Sequence, residues 1–304
     1  MSINLASIFQ ELQPGLMAVT GKYKEVPMEF DRIFVKKSSK LNLERSVQTR
    51  FLGIGQLKAD GGSTIYDNNA GDRFVYSMQP VGAGLGYTIT RNALADCLYK
   101  DTFTPTNLGL QNSMRAFWNT QAAYLFNTAT TYQAVSGGTG QPLLSVSHPV
   151  DNGTFANTSS TPQSLNEASL IAAIKAVPQT FVDQAGLFID VQTEKLLIPW
   201  NLRDVALRLL KSELRPGTAN NDPNVINEIH GGGIRELVTS RYLTSNYAWW
   251  LTTSVQGLID IEREPFEMDM FVDFDTDNLK VRCYERRGYF FIDPRAVYGQ
   301  MATA

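Results

Sequence analysis

Two stretches near the N-terminus, residues 47–54 and 74–78, have the mixed apolar and polar pattern of β-strands. The pattern predicts a long hairpin whose arms, at about 3.3 Å per residue, reach roughly 35 Å. Because a two-stranded ribbon is at best marginally stable alone in water, we expect it to pack against another surface. The polar segment between the strands is dense in turn formers, which include Gly61, Gly62, Asp67, Asn68, Asn69 and Gly71.

The strongest helical periodicity lies at residues 105–130, where apolar side chains recur at three- and four-residue spacing. Thr104 is the expected N-cap and Pro105 the first helical residue. At 1.5 Å per residue this helix is about 39 Å long, well above the average, which predicts a central element of the architecture. Its predicted core face consists of Leu110, Met114, Phe117 and Tyr124.

The rest of the pattern predicts an α+β chain. The sequence Ser164–Glu167 has the form of a capping box and is followed by the apolar face of a second helix. Residues 196–198 have the composition of a short buried strand, and Asn201 is the expected N-cap of a third helix. The last fifty residues alternate as strands do, with a hairpin turn at Asp275–Asn278.

The composition excludes several classes of protein. The 304 residues are 43% hydrophobic and only 19% charged, whereas about a quarter is usual, so the chain is not disordered and has surface that partners can cover. The net charge is −3, and no run of Lys or Arg exceeds two residues, which argues against tight nucleic-acid binding. Neither a signal peptide nor a run of about twenty apolar residues is present, so we expect a cytoplasmic protein without a membrane segment.

Few residues are available for metal or redox chemistry. Cys97 and Cys283 are too few for a disulfide framework, and we interpret both as reduced, buried thiols. His148 precedes a proline in a Ser/Thr-rich stretch, which is typical of a loop. Residues 273–277 resemble the start of a calcium loop but lack its Gly and Glu, so a hairpin turn is the better interpretation. The alternating carboxylates Glu262, Glu264, Glu267 and Asp269 indicate a solvated sheet face.

Two segments resemble catalytic or cofactor-binding motifs, but each lacks an element that the chemistry requires. His230–Gly233 matches an esterase oxyanion-hole sequence, but the chain has no G-x-S-x-G nucleophile elbow, so we interpret it as a Gly-rich loop. Gly82–Gly86 is followed by a predicted strand, Tyr87–Thr90, rather than by the helix that a dinucleotide site requires. The sequence therefore predicts no catalytic, cofactor-binding or metal-binding residues.

The order of elements resembles that of tailed-phage major capsid proteins with the Hong Kong 97 phage fold. Short motifs are similar to the Mu-like major head subunit branch of that family. They are Leu143–Pro149, Leu196–Pro199 with a following helix through Ala206, Asn221–Asn227 and Asp293–Gly299. The resemblance covers most of the chain, and its specificity lies in the combination of the motifs.

The resemblance implies four structural parts. Residues 1–42 form an N-terminal arm, with a short helix near its start, that reaches across a neighbour. Residues 43–85 form an extended hairpin loop that lies over the peripheral domain of a neighbouring subunit. Residues 86–135 and 263–304 form the peripheral domain, with the helix at 105–130 as its spine. Residues 136–262 form an axial domain that meets its copies at the centre of hexamers and pentamers.

The implied function is that of a non-enzymatic major capsid protein, assembled in the bacterial host cytoplasm into an icosahedral shell around double-stranded DNA. The implied partners are further copies of the chain, a scaffolding protein, a portal at one vertex, a decoration protein and, through weak non-specific contacts, the packaged DNA. We expect the hairpin tip to contact a neighbouring subunit through Lys58, Asp60, Ile65, Tyr66, Asp67, Asn68, Asn69 and Arg73.

Two family features are expected to be missing. Some relatives carry a scaffolding region ahead of the arm, but only about 42 residues precede this hairpin, so we expect a separate scaffolding protein. Some relatives also cross-link a hairpin lysine to an asparagine of a neighbour. Lys58 is the only lysine within residues 43–85, and we expect no cross-link there.

Two other classes of protein remain as alternatives. A tail, decoration or surface-layer protein would share the polar composition but would not need the long helix. A cytosolic hydrolase that uses His230–Gly233 would need the missing nucleophile elbow. The order of long hairpin and long helix favours the capsid interpretation, because a compact enzyme has no use for a projecting ribbon.

Overall fold

The computed structural model describes residues 27–64, 66–96, 103–131, 136–212, 224, 226 and 234–302. Its helices are α1 (Arg91–Ala95), α2 (Phe103–Asn127), α3 (Glu167–Thr180) and α4 (Arg203–Lys211). Its strands are β1 (Val35–Ser38), β2 (Glu44–Arg50), β3 (Gly71–Met78), β4 (Val81–Ile89), β5 (Ser136–Gly137), β6 (His148–Val150), β7 (Gly153–Phe155), β8 (Thr193–Pro199), β9 (Glu236–Ser240), β10 (Trp249–Thr253), β11 (Leu258–Val272), β12 (Leu279–Phe291) and β13 (Val297–Gln300). No helix among these residues is both long and apolar enough to cross a membrane.

Helix α2 is the longest helix of the described chain and contributes to two hydrophobic cores. Leu110 and Met114 in its first half, with Trp118 just past its midpoint, pack in a core with residues of β11 and β12. Its second half, represented by Ala122 and Phe126, packs in another core with residues of β10 and β13. At 1.5 Å per residue its 25 residues span about 38 Å. The helix therefore joins the two largest sheets among the described residues.

The predicted core face of α2 is only half right. Leu110 and Met114 are buried, but Phe117 and Tyr124 are 40% and 57% exposed. The buried stripe continues through Trp118 and small alanines instead, because alanines allow the helix to approach its neighbours closely. The helix also begins earlier than predicted, so Thr104 lies inside its first turn rather than at the N-cap.

One four-stranded sheet, in the order β1-β11-β12-β4, covers the first half of α2. The turn predicted at Asp275–Asn278 is confirmed between the antiparallel strands β11 and β12. On the outer face of β11, Glu267 and Asp269 are exposed, and Glu262 and Glu264 are partly exposed, as the alternation predicts. The glycine-rich segment that was expected to precede a short strand is itself part of β4.

A second four-stranded sheet, in the order β13-β10-β8-β9, packs with α3 and α4 around a third core. Leu196, Leu197 and Ile198 are fully buried in β8, which confirms the predicted buried strand. Both predicted caps are wrong. Asn166 caps α3 in a reciprocal arrangement with Ser169, and Leu202 precedes α4 without a side-chain cap.

The end of the predicted arm is built into the body. Met28, Phe30 and Phe34 are buried, and β1 pairs in parallel with β11. Arg287 lies beside Met28 and donates two hydrogen bonds of 2.7 Å to the carboxylate of Asp260. Because both charges are buried, loss of either partner is expected to destabilise the subunit by about 3–5 kcal/mol. The short helix predicted near the chain start lies outside the described residues.

The structure confirms the prediction for one cysteine and contradicts the prediction for His148. Cys283 is buried with a free thiol, as predicted, whereas Cys97 and the loop His230–Gly233 lie outside the described residues. His148 was expected in a loop but is fully buried in β6. Its ring stacks on Phe155, with 4.9 Å between the ring centroids.

Asn157 explains why the histidine is buried. Its side-chain nitrogen donates to the carbonyls of Leu143, Pro294 and Val297, and its oxygen accepts a 2.9 Å bond from the Ser145 amide. That oxygen lies 3.0 Å from His148 Nε2, which must therefore carry the proton. Burial lowers the pKa of His148 to about 4. Asn157 thus joins the neutral ring in β6 to the chain that follows β12.

We expect acid to destabilise the subunit through His148. The folded-state pKa of about 4 is below the ordinary value of 6.5, so this stability is complete above pH 6.5 and is lost as the pH falls towards 4. The full difference corresponds to about 3 kcal/mol in the free energy of unfolding. Urea unfolding of the His148→Gln variant across this range should give a flatter pH dependence than that of the wild type. If the control His230→Gln flattens the curve instead, this assignment is wrong.

Candidate assembly surface

The hairpin differs from its predicted form in the length of its strands. β2 and β3 pair only through residues 44–50 and 71–78, and residues 51–70 connect them without a described strand. The apolar run predicted to extend the first strand to Ile54 therefore lies in the connection. A turn at residues 59–62 has Gly61 at a φ of 74°, a left-handed conformation that glycine adopts without strain.

Large apolar side chains project from this connection into solvent. We call them the apolar tip: Phe51, Leu52, Ile54, Leu57 and Tyr66. All are at least 60% exposed, and Leu57 is fully exposed. Several large apolar side chains exposed in one loop are typical of a protein interaction site. Only Tyr66 is among the contact residues that the sequence predicts. Phe51, Leu52 and Ile54 fall in the predicted strand at residues 47–54, and Leu57 lies in the polar segment that follows it.

The polar residues predicted at the tip lie in the same connection, apart from one. Lys58, Asp60, Asn68 and Asn69 are exposed there, and Ile65 lies outside the described residues. Arg73 does not belong to the tip. It lies in β3, where its guanidinium forms an ion pair with Asp151 in the β6–β7 turn.

Asp67 connects the two sides of the loop. Its Oδ2 accepts a hydrogen bond of 2.8 Å from the Gly53 amide, and its Oδ1 accepts one of 2.9 Å from the Asn69 amide. Arg50 approaches the same carboxylate at 3.6 Å. The Asn69 and Gly53 amide bonds hold the pKa of Asp67 below its usual value, and the nearby Arg50 acts in the same direction. The carboxylate is therefore charged at neutral pH and gives the loop a defined shape.

The base of the hairpin is anchored in the body by apolar contacts. Tyr76 of β3 is buried and packs edge-on against Phe291, with 6.0 Å between the ring centroids. Met78 at the end of β3 is buried with Ile259 and Ile261 of β11. The hairpin thus has a fixed base and a projecting tip. Among the residues that the structure describes, no cluster of three or more His, Cys, Asp or Glu is placed to hold a metal ion.

Comparison with known families assigns most of the chain. The model of a family described as phage capsid protein matches residues 78–299, from the end of β3 to β13. The projecting part of the hairpin lies outside this match. None of the curated proteins that were compared matches the chain.

Solved structures share the fold over nearly the whole chain. A virus-like particle from Pyrococcus furiosus is 10% identical, with a TM-score of 0.54, and the match covers 96% of this chain and 99% of that one. The mature capsid of bacteriophage PhiM1 is 11% identical, with a TM-score of 0.55 and coverages of 90% and 86%. A chain of Mycobacterium phage Patience is 9% identical, with a TM-score of 0.56, and the match covers 99% of this chain and 89% of that one. The predicted α+β fold of the Hong Kong 97 type is confirmed.

We expect Asp67→Asn to loosen the connection at residues 51–70. An asparagine keeps one acceptor oxygen, so one of the two amide bonds from Gly53 and Asn69 is lost. Hydrogen exchange of the unassembled subunit should become several-fold faster at these amides. Acid should have the same effect in the wild type, because a lowered pKa means that this stability is lost only as the pH falls below about 3.8.

The control for this experiment is Asp60→Asn, which changes an exposed carboxylate in the same loop. Equal acceleration in both variants would show that the loop does not depend on Asp67.

Proposed function

The chain belongs to the phage capsid protein family, and we propose that its copies assemble as hexamers and pentamers into an icosahedral shell around the double-stranded DNA genome of the phage. It acts as the major capsid protein. The observation that carries this proposal is the apolar tip, which projects from a subunit whose other large apolar side chains are mostly in three cores.

The energetics of the apolar tip favour an intersubunit contact. Full burial of one large apolar side chain contributes about 1.5–3 kcal/mol, and the tip exposes five of them. A tip that inserts into a different surface of the next copy makes a heterologous contact, which generates rings when the rotation closes. The same contact, repeated around each ring, gives a hexamer or a pentamer.

The remaining parts take the roles that the family resemblance implies. The hairpin of residues 43–85 lies over the peripheral domain of a neighbour, and α2 is the spine of that domain. Residues 136–262 form the axial domain around the centre of each ring, and the arm at residues 1–42 reaches across a neighbour. These boundaries are part of the proposal. The burial of Met28 supports an arm whose C-terminal end is packed into the body of its own subunit.

The proposal includes partners and a place of assembly. A separate scaffolding protein guides assembly in the bacterial host cytoplasm, a portal occupies one vertex, and a decoration protein binds outside. Contact with packaged DNA is weak, since a net charge of −3 gives little counterion release. The subunit is non-enzymatic, and the short motifs of the chain support a place in the Mu-like branch.

We expect Leu57→Ser to impair assembly without affecting the fold of the subunit. Leu57 is fully exposed, so its replacement leaves the cores intact but removes an apolar contact that every copy would make. A loss of about 1.4 kcal/mol per contact would raise the concentration required for assembly at least tenfold. Light scattering and negative-stain electron microscopy measure this, with the thermal unfolding of the subunit as a check on folding.

The matched control is Gln56→Ser, one residue away, also exposed and outside the set of expected contact residues. Normal shells from both variants would contradict the role of the apolar tip. A wild-type chain that stays monomeric even with its scaffold present would contradict the capsid function itself.

A further inference from the structure

We propose that Asp151 is a positioning residue that sets the direction in which the hairpin leaves the subunit. Its carboxylate contacts one arginine from each strand of the hairpin. Arg50 Nε of β2 lies 2.5 Å from Asp151 Oδ2, and Arg73 of β3 pairs with Oδ1. Because the two oxygens hold two different strands, one residue of the body fixes both.

The hairpin is built to bring both arginines to this carboxylate. Gln48 pairs with Phe74 and Thr49 with Asp72, so Arg73 is an extra residue in β3. Such a bulge re-aims a side chain that the regular alternation would direct elsewhere. Phe74 is partly buried against the body, so Arg73 beside it would face away from the body in a regular strand. The bulge allows it to reach Asp151.

A second polar contact restrains the same face of β2. Gln48, two residues before Arg50 and therefore on the same side of the strand, donates a 2.7 Å bond to the Ile292 carbonyl. It also accepts a 2.9 Å bond from the Gln184 side chain. The backbone oxygen of Gln184 in turn accepts from the Asp151 amide at 3.2 Å. Gln184 thus contacts both Gln48 and Asp151, so the polar contacts of β2 at these two residues are connected through it.

The position of Asp151 is itself well defined. It begins the turn between β6 and β7, and the buried ring of His148 in β6 is stacked on Phe155 in β7. The side chains of Arg50 and Asp151 are 7% and 14% exposed, so their interaction is little screened by salt. Asp67 lies 3.6 Å from Arg50 and completes a neutral cluster of two cations and two carboxylates.

Different contacts anchor the hairpin and determine its direction. Tyr76 and Met78 anchor the base through apolar contacts, which are not directional. Ion pairs from two different strands to one carboxylate are both kept only over a limited range of hairpin orientations, so they determine where the strands beyond the base point. The inference rests on the proposed function, since the direction of the hairpin matters because the apolar tip must reach a neighbouring copy.

The test measures the distribution of distances between the hairpin and the body in the unassembled subunit. Spin labels are placed at Lys58→Cys in the hairpin and at Lys175→Cys in α3, with Cys97 and Cys283 replaced by serine. We expect Asp151→Asn to broaden the distribution of distances between the labels about twofold, because the hairpin base remains packed while its direction is released. Asp151→Glu keeps the charge and should restore a narrower distribution. This rescue distinguishes positioning from a general structural role.

Two further variants keep the test decisive. Arg73→Gln breaks one of the two ion pairs at a side chain that is about half exposed, so it serves if Asp151→Asn does not fold. Asp72→Asn is the matched control, because it removes an exposed carboxylate next to Arg73 that forms no described ion pair. An unchanged distance distribution in both Asp151→Asn and Arg73→Gln, or equal broadening in Asp72→Asn, would overturn the proposal.

The outcomes separate this inference from the proposed function. The distance measurement needs no second copy, so it reports on positioning whether or not shells form. Normal assembly of Leu57→Ser would count against the hairpin contact alone. Broad distances in Asp151→Asn together with unimpaired assembly of that variant would overturn the claim that the direction set by Asp151 matters for assembly.

Discussion

The burial of α2 against two different sheets is the contact on which the rest of the subunit depends. Met114 and Trp118 pack with the long β11–β12 ribbon, while Phe126, two turns further on, contacts Trp250 of β10 at 5.7 Å between the ring centroids. A single continuous helix therefore holds two sheets that have no strand in common. The hairpin is attached to the same frame, because Tyr76 packs on Phe291 at the end of β12.

The parts of the fold that the sequence predicts are those determined by local signals. The turn at residues 275–278 and the buried strand at residues 196–198 follow from turn formers and from short apolar runs. The burial of α2 was only half predictable, since it carries apolar residues on more than one face. Phe117 and Tyr124 are larger than Ala122 and Ala123, yet close packing of the helix buries the alanines.

The candidate site was less predictable because its contacts are long-range. Arg73 and Asp151 are far apart in sequence, and a bulge in β3 brings them together. Periodicity cannot locate a bulge, because the bulge is itself a break in the period. The pattern at residues 47–54 predicts a longer strand than the structure has for a related reason, since apolar residues in a short stretch give the same pattern whether they are buried or exposed. The position of the bulge and the exposure of these apolar residues are therefore known only from the structure.

Beyond its apolar base, the hairpin is held at a polar root that consists of Arg50, Arg73 and Asp151, and this polar character has a physical reason. An apolar root would stabilise many orientations about equally, since hydrophobic contact has no preferred direction, and the apolar tip would then tend to fold back onto its own subunit. A carboxylate that binds two arginines favours one orientation, because each ion pair is lost when the strands turn. In the proposed role of Asp151, its ion pairs with Arg50 and Arg73 hold the apolar tip away from the cores of its own chain. That separation leaves the apolar surface available to a second copy.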